Sequence, residues 1–269
     1  MKYCRLLINN QPQFALVETE GSTGRELVTR VFKSDACARI PDEDAASKRI
    51  DPIPLEDAKL LTPVVPSKIV CVGRNYRAHA LELGNEVPTE PLVFFKPPSS
   101  LADPGAEIRL PKLSQNVHYE GELAVVIGKT CYRVREGEDV RDCIFGYTIL
   151  NDVTARDLQK KENQWARAKG FDTFTPVGPV VVDGLDPWAG IEVETRINSE
   201  VRQHGTTADF IFPLDAIIRH ITAAMTLVPG DVIATGTPEG VGPLHAGDVV
   251  EITIPGVGTL RNPVVDESD

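Results

Sequence analysis

Short strand-like runs broken by glycine and proline dominate this chain from Lys68 onward, and they restrict it to a mainly β fold. The runs are Ile69 to Val72, Leu92 to Phe95, Leu123 to Ile127, Gly146 to Leu150, Val177 to Val182, Ile191 to Ile197 and Val249 to Ile254. All are strand-sized, and most are rich in β-branched or aromatic residues. Gly and Pro number 21 each, which supplies turns between the runs. One segment has a clear helical period. Pro213 opens it, Leu214, Ile217, Ile218 and Ile221 share a face, and Pro229-Gly230 stops it. Many strands with few helices predict an α+β fold, mainly β with flanking helices, rather than alternating βαβ units. A chain of 269 residues buries roughly three quarters of its unfolded surface, so the core is ample.

The N-terminal sixty residues differ in character. Tyr3 to Ile8 and Phe14 to Val17 read as two strands joined by the turn-prone Asn9-Asn10-Gln11-Pro12. Ala36 to Asp51, rich in Asp, Ala and Lys, reads as irregular or helical surface. Two prolines in Leu61-Thr62-Pro63-Val64-Val65-Pro66 mark a boundary. The expected division is a small N-terminal α/β domain, residues 1–65, followed by a catalytic domain, residues 66–269.

The net charge of −11 argues against a nucleic-acid partner, because phosphate binding needs a basic face. No run is long and apolar enough to cross a membrane, and Leu6-Leu7-Ile8 is too short for a signal core. The five cysteines are scattered, odd in number and without C-x-x-C, so reduced thiols in a cytoplasmic protein are expected.

Glu120 and Glu122 open one of the strand-like runs and Asp152 closes another. Strand side chains alternate, so the two glutamates share a face. On their own they suit two exposed carboxylates on an edge strand. If buried, like charges need a cation between them, and an all-oxygen set suits Mg²⁺ or Mn²⁺ rather than zinc. His79 and Glu82 stand three apart in a helix-like stretch, where a carboxylate can orient an imidazole base. An isolated pair of this kind is more often a surface coincidence. Gly73 and Gly84 flank the stretch and suit the hinges of a lid. Lys169 enters a Gly/Pro-rich turn and suits an oxyanion partner, although most lysines are solvated. Thr235-Gly-Thr237-Pro-Glu-Gly240-Val-Gly242 offers N–H groups and Thr237 to a carboxylate, or is a plain turn. It lacks the terminal Gly-Lys-Ser/Thr of a phosphate loop, and the chain has no G-x-G-x-x-G for a dinucleotide.

Taken together and in order, these segments resemble the fumarylacetoacetate hydrolase superfamily. They read G-R-N-Y-x-x-H-x-x-E, E-G-E-L-x-x-V-I-G, N-D-V-T-A-R-D-x-Q, K-x-F-D-T-F-x-P-x-G-P and T-G-T-P-x-G-V-G, across Lys68 to Val265. The chain is similar to the short branch of acylpyruvases, fumarylpyruvate hydrolases, oxaloacetate decarboxylases and 2-hydroxyhepta-2,4-diene-1,7-dioate isomerases. The resemblance implies a mixed β-sandwich roll, a homodimer and one Mg²⁺ or Mn²⁺ per subunit. It implies Glu120, Glu122 and Asp152 as metal ligands and His79, Glu82 and Lys169 as catalytic residues. Gln159, Thr237, Arg74 and Arg156 fall on substrate-binding positions. The extra upstream acidic ligand of the larger eukaryotic-type enzymes has no matching motif. The activity implied is metal-dependent C–C hydrolysis of small 2-oxo or 1,3-diketo acids through an enolate, with decarboxylation or isomerisation as alternatives. A metal-stabilised binding module is the non-enzyme alternative. Such a module has no use for a His/Glu dyad beside a lysine.

Overall fold

The computed structural model describes residues 1–21, 23–32, 47–82, 84 and 86–268. All seven predicted runs are strands, each within two residues of its expected ends. A twelve-stranded mixed sheet forms the main layer. Its central path runs Ser47–Pro54, Glu26–Phe32, Gln11–Thr19, Lys2–Ile8, Thr175–Val182, Ile144–Asn151, Gly121–Ile127, Val232–Ala234, Ile69–Gly73, Leu92–Lys96. A five-stranded sheet packs on it, in the order Glu200–Thr206, Glu192–Ile197, Val249–Ile254, Gly258–Asp266, Ile108–Leu110. The predicted mainly β, α+β architecture is therefore the one observed. The N-terminal strands extend the main sheet, because Lys2 and Tyr3 pair with Val182 and Val181.

Local chemistry accounts for the hairpins. Asn9 and Asn10 both take positive φ, 51° and 60°, which is the primed turn that fits strand twist. Asn198 and Ser199, at 52° and 70°, close the Glu192–Ile197 and Glu200–Thr206 hairpin in the same way. The helix Leu214–Ala224 starts behind Pro213 as expected, but stops at Ala224, before Pro229-Gly230. It buries Leu214, Ile217, Ile218 and Ile221 in the core between the layers.

Two expectations need correction. Residues 36–46 of the predicted irregular segment lie outside the described residues, but Ser47–Pro54 is a strand. It sits at the sheet edge, where Lys48, Arg49 and two prolines are tolerated because one side needs no partner. The cysteines are not all thiols either, because Cys131 and Cys143 form a disulfide with Cα atoms 6.1 Å apart. The two strands Gly121–Ile127 and Ile144–Asn151 pair antiparallel, so the loop between them folds back and brings the two sulfurs together. Cys37 lies outside the described residues.

Cys4 and Cys71 are free and buried. Burial pushes the Cys4 thiol up to about 12 and the Cys71 thiol well above its usual range. Since the thiolate is the nucleophile, both are expected to resist iodoacetamide in the native protein at pH 8 and to react after denaturation. Peptide mapping by mass spectrometry checks this. Native labelling of Cys4 or Cys71 at the denatured rate contradicts the packing described.

The strand Gly121–Ile127 is buried along its whole length and on both faces. Leu123, Val125 and Ile127 enter the inter-sheet core. Ala124 and Val126 enter a second cluster with Ile69, Cys71, Leu150 and Val177. Each large apolar side chain contributes roughly 1.5–3 kcal/mol on leaving water, which offsets the cost of the charged groups at the strand's start.

Candidate active site

The E-G-E sequence is resolved by the two faces of this strand. Glu120 and Glu122 point to one side, and Gly121 lies against the second sheet. A Cβ at Gly121 would lie 2.2 Å from Thr195 Oγ1, so only glycine lets the sheets approach there. Gly121 pairs with Asn151, which brings Asp152 beside Glu120, and the Asp152 N–H donates to the Glu120 carbonyl at 2.8 Å. Asn151 Oδ1 accepts from the Glu120 N–H at 3.0 Å. Carboxylate oxygens of Glu120, Glu122 and Asp152 all lie within 4.8 Å of one another, and all three residues are buried.

The cluster opens into a cavity of about 380 Å³. Its walls carry all ten residues singled out from sequence: Arg74, His79, Glu82, Glu120, Glu122, Asp152, Arg156, Gln159, Lys169 and Thr237. Lys169 ends the short helix Ala166–Lys169 and is buried, not solvated. Its Nζ donates to Glu120 Oε2 at 2.8 Å and to Asp152 Oδ2 at 2.5 Å, over the Phe94 ring at 4.9 Å. Burial acts to lower its pKa, but Asp152 and Glu120 outweigh it and hold the ammonium above its ordinary value. Arg156 donates through Nη2 to Glu120 and through Nη1 to Gln159 Oε1, the latter at 2.9 Å. Burial would raise the Glu120 carboxyl, yet Arg156 and Lys169 hold it well below the carboxylate range.

Glu122 is the exception. Its Oε2 accepts from the Gly236 N–H at 2.7 Å, but no described cation pairs with it. Burial, with the charges of Asp152 and Glu120, pushes it well above the carboxylate range. A buried carboxylate facing two others, with an oxygen-only donor set, fits a hard divalent cation at this point. Glu120, Glu122 and Asp152 are the residues that would hold it.

His79 and Glu82 lie on the helix Arg77–Glu82. His79 is buried, and burial lowers its pKa below the usual value, which favours the neutral imidazole. Its Nδ1 lies 3.5 Å from Glu82 Oε2, within ion-pair range but without hydrogen-bond alignment. Glu82 also accepts the Gly240 N–H at 3.1 and 3.2 Å, which ties this helix to the Thr235–Gly242 turn. In that turn, Thr237 Oγ1 donates to the Gly121 carbonyl at 2.9 Å and accepts from Gln203 at 2.8 Å. The turn therefore braces the carboxylate strand as well as lining the cavity.

Three contributors escaped sequence reasoning. Lys96 is fully buried and donates to Asp152 Oδ1 at 2.7 Å and to the Val153 carbonyl at 3.1 Å. The only signal for it was a lysine ending the apolar run Leu92-Val-Phe-Phe. Asn75 locks the segment before the helix, donating to the Thr235 carbonyl at 2.8 Å and accepting from Phe212 N–H at 2.8 Å. Trp165 forms a wall edge-on to Phe94, with ring centroids 5.2 Å apart.

A strand-built cavity with three converging carboxylates, a buried imidazole and committed cations suits a small-molecule enzyme. Residues 68–265 match the family described as fumarylacetoacetate (FAA) hydrolase, C-terminal. The chain belongs to that family, as its motifs predict. It is 52% identical over 214 residues to Protein Rv2993c of Mycobacterium tuberculosis, covering 79% of this chain and 80% of the relative. Oxaloacetate tautomerase YisK of Bacillus subtilis is 45% identical over 224 residues, covering 78% and 74%. The crystal structure of 2-hydroxyhepta-2,4-diene-1,7-dioate isomerase from Mycobacterium marinum superposes with a TM-score of 0.86 at 43% identity, over all of both chains. No described helix is long and apolar enough to cross a membrane.

Proposed function

We propose that this enzyme moves a proton at the carbon beside the keto group of a small 2-oxo acid, interconverting keto and enol forms with Mg²⁺ or Mn²⁺ as cofactor. The observation that carries this is a buried His79, whose neutral form burial favours, in the same cavity as the carboxylate triad and its cations. Names of relatives support it, since one is an oxaloacetate tautomerase and another a dienedioate isomerase. When bound, the divalent ion polarises the keto and carboxylate oxygens of the substrate and favours loss of the neighbouring proton.

The protein's own groups do the rest. Glu82 favours the tautomer of His79 with its proton on Nδ1, which leaves Nε2 free to accept a proton. Burial keeps that nitrogen unprotonated at neutral pH. Lys169 and Arg156 keep Glu120 ionised and offer positive charge where the oxyanion develops, and Gln159 holds Arg156 in place. Phe94 and Trp165 limit water around the reacting carbon. The working unit in this proposal is a homodimer, as in the family it resembles.

C–C hydrolysis of acylpyruvates is a second function the site supports, because the His79/Glu82 dyad can take a proton from water as readily as from carbon. NMR of the Mg²⁺-loaded protein with oxaloacetate, an acylpyruvate and a dienedioate separates the two. Accelerated keto–enol exchange without pyruvate release is expected. Rapid acylpyruvate cleavage would favour the hydrolase instead, and silence on all three substrates rules out both.

A further inference from the structure

We propose that Gln203, on the second sheet and outside the cavity wall, is a positioning residue that fixes Glu120 and Glu122 relative to each other. The consequence for a divalent cation rests on the cofactor assignment above.

Gln203 is out of place by its chemistry. The strand Glu200–Thr206 is an edge of the five-stranded sheet, and Glu200, Val201 and Arg202 are exposed. Val201 is 48% exposed whereas Gln203 is 0% exposed, the reverse of their polarity. A break in register causes this. Thr195 pairs with Gln203 and Arg196 with Val201, so Arg202 has no residue opposite it. One extra residue in a strand is a bulge, and bulges beside functional sites re-aim a side chain. The side chain turned inward here is an amide, which is stable in the interior only when hydrogen-bonded.

Its partners show what the inward turn achieves. Oε1 accepts from the Gly121 N–H at 3.0 Å, between the two glutamates. Nε2 donates to Thr237 Oγ1 and to the Pro238 carbonyl, both at 2.8 Å. Thr237 Oγ1 donates in turn to the Gly121 carbonyl at 2.9 Å. This ring engages both backbone polar groups of Gly121. Strand pairing on that edge does not reach them, since Val232–Ala234 pairs with the carboxylate strand only from Ala124 to Val126. Gln203 takes over where that partner strand has ended. One residue before Thr237, the Gly236 N–H donates to Glu122 Oε2 at 2.7 Å, so the ring also holds the group that orients Glu122. The bulge seats its backbone on the same turn, because a Cβ at Gly240 would collide with the Arg202 carbonyl. Loss of the amide therefore frees Gly121 and the turn together, and Glu122 with them.

Two variants test this. Gln203→Met removes every hydrogen bond of the amide. Gln203→Asn keeps the amide but is one methylene too short to span Gly121 and Thr237, and it disturbs folding least. Amide hydrogen exchange, followed by NMR without added metal, reads the position of Glu122 through its Gly236 partner. Gly121 and Gly236 are expected to exchange about tenfold faster or more in both variants, while Val232–Ala234 stays protected. Calorimetric Mn²⁺ binding should weaken roughly 10–100-fold in Gln203→Met, and less in Gln203→Asn. Unchanged Gly236 exchange, or a rise shared equally by Val232–Ala234, reduces Gln203 to a structural residue and overturns the proposal. Mn²⁺ affinity equal to that of the wild type in both variants overturns it too. If the wild type takes up no Mn²⁺ but the exchange pattern appears, the cofactor assignment fails and the positioning role stands. Should Gln203→Met not fold, Gln203→Asn decides by the same readings.

Discussion

Glu122→Ala is expected to lose bound metal and nearly all turnover while folding normally. Glu122 is the triad member with no described cation beside it, so it depends most on the ion. Removing it deletes one of three converging carboxylates. The effect should exceed the roughly 10–100-fold cost of losing an outer-sphere partner. Two terms act on the metal-free fold. The Gly236 N–H loses its acceptor, at about 1–3 kcal/mol. Against this, the repulsion and desolvation that push the Glu122 carboxyl up disappear. The two oppose each other, and stability without metal should change little. Metal at a hundredfold excess over its Kd adds roughly 2.7 kcal/mol to the wild type, or about 5–10 °C in Tm. The variant should show no such rise. Elemental analysis, thermal shifts with and without Mn²⁺, and the tautomerisation rate measure the three consequences. Wild-type metal content together with normal rates would refute the ligand assignment.

His79→Ala is expected to slow proton transfer by about 10²–10⁴-fold, the usual loss when a general base is removed. Acylpyruvate cleavage, if present, should fall similarly, because it needs the same base for water. Oxaloacetate decarboxylation should fall less, because it needs no proton abstraction from carbon or water. The pH profile supplies an independent check. Burial lowers the His79 pKa below the ordinary 6.5, so the base form persists on the acid side. The acid limb of kcat/KM should therefore lie below pH 6.5. Glu82 works against burial and raises the His79 pKa. Glu82→Gln keeps an acceptor for the Gly240 N–H but removes that charge, so the limb should move to still lower pH. A variant lacking His79 that retains the wild-type rate and acid limb would show that another group is the base. Equal losses in isomerisation and decarboxylation would show that His79 positions substrate or protonates a shared enolate.

Periodicity carried much of the fold. Alternation in Glu120 to Ile127 already required the two glutamates to share a face, because Cβ directions in a strand alternate whatever surrounds them. The helix Leu214–Ala224 was equally legible, since its apolar residues recur every three or four positions. Strands with polar or proline-bearing sequences were harder. Glu200–Thr206 has most of its side chains exposed or half-exposed, and Gly258–Asp266 holds Pro263, so neither shows a clean apolar signal. They are strands because a neighbouring strand supplies their hydrogen bonds.

The candidate site divides along the same line. Residue types and local order determined that Glu120 and Glu122 share a strand face and that His79 and Glu82 share a helix turn, because neighbours within one strand or one helix turn need no tertiary contact to be aligned. Asp152 joins the two glutamates only because the strand Ile144–Asn151 pairs with Gly121–Ile127. Only the tertiary structure decided which charges pair. Lys96 reaches Asp152 across 56 residues, and Lys169 reaches Glu120 across 49. It also decided that Lys169 is buried rather than solvated and that Cys131 meets Cys143. The physical reason is range. Backbone geometry fixes directions over a few residues, whereas ion pairing and burial depend on which strands the sheet sets side by side.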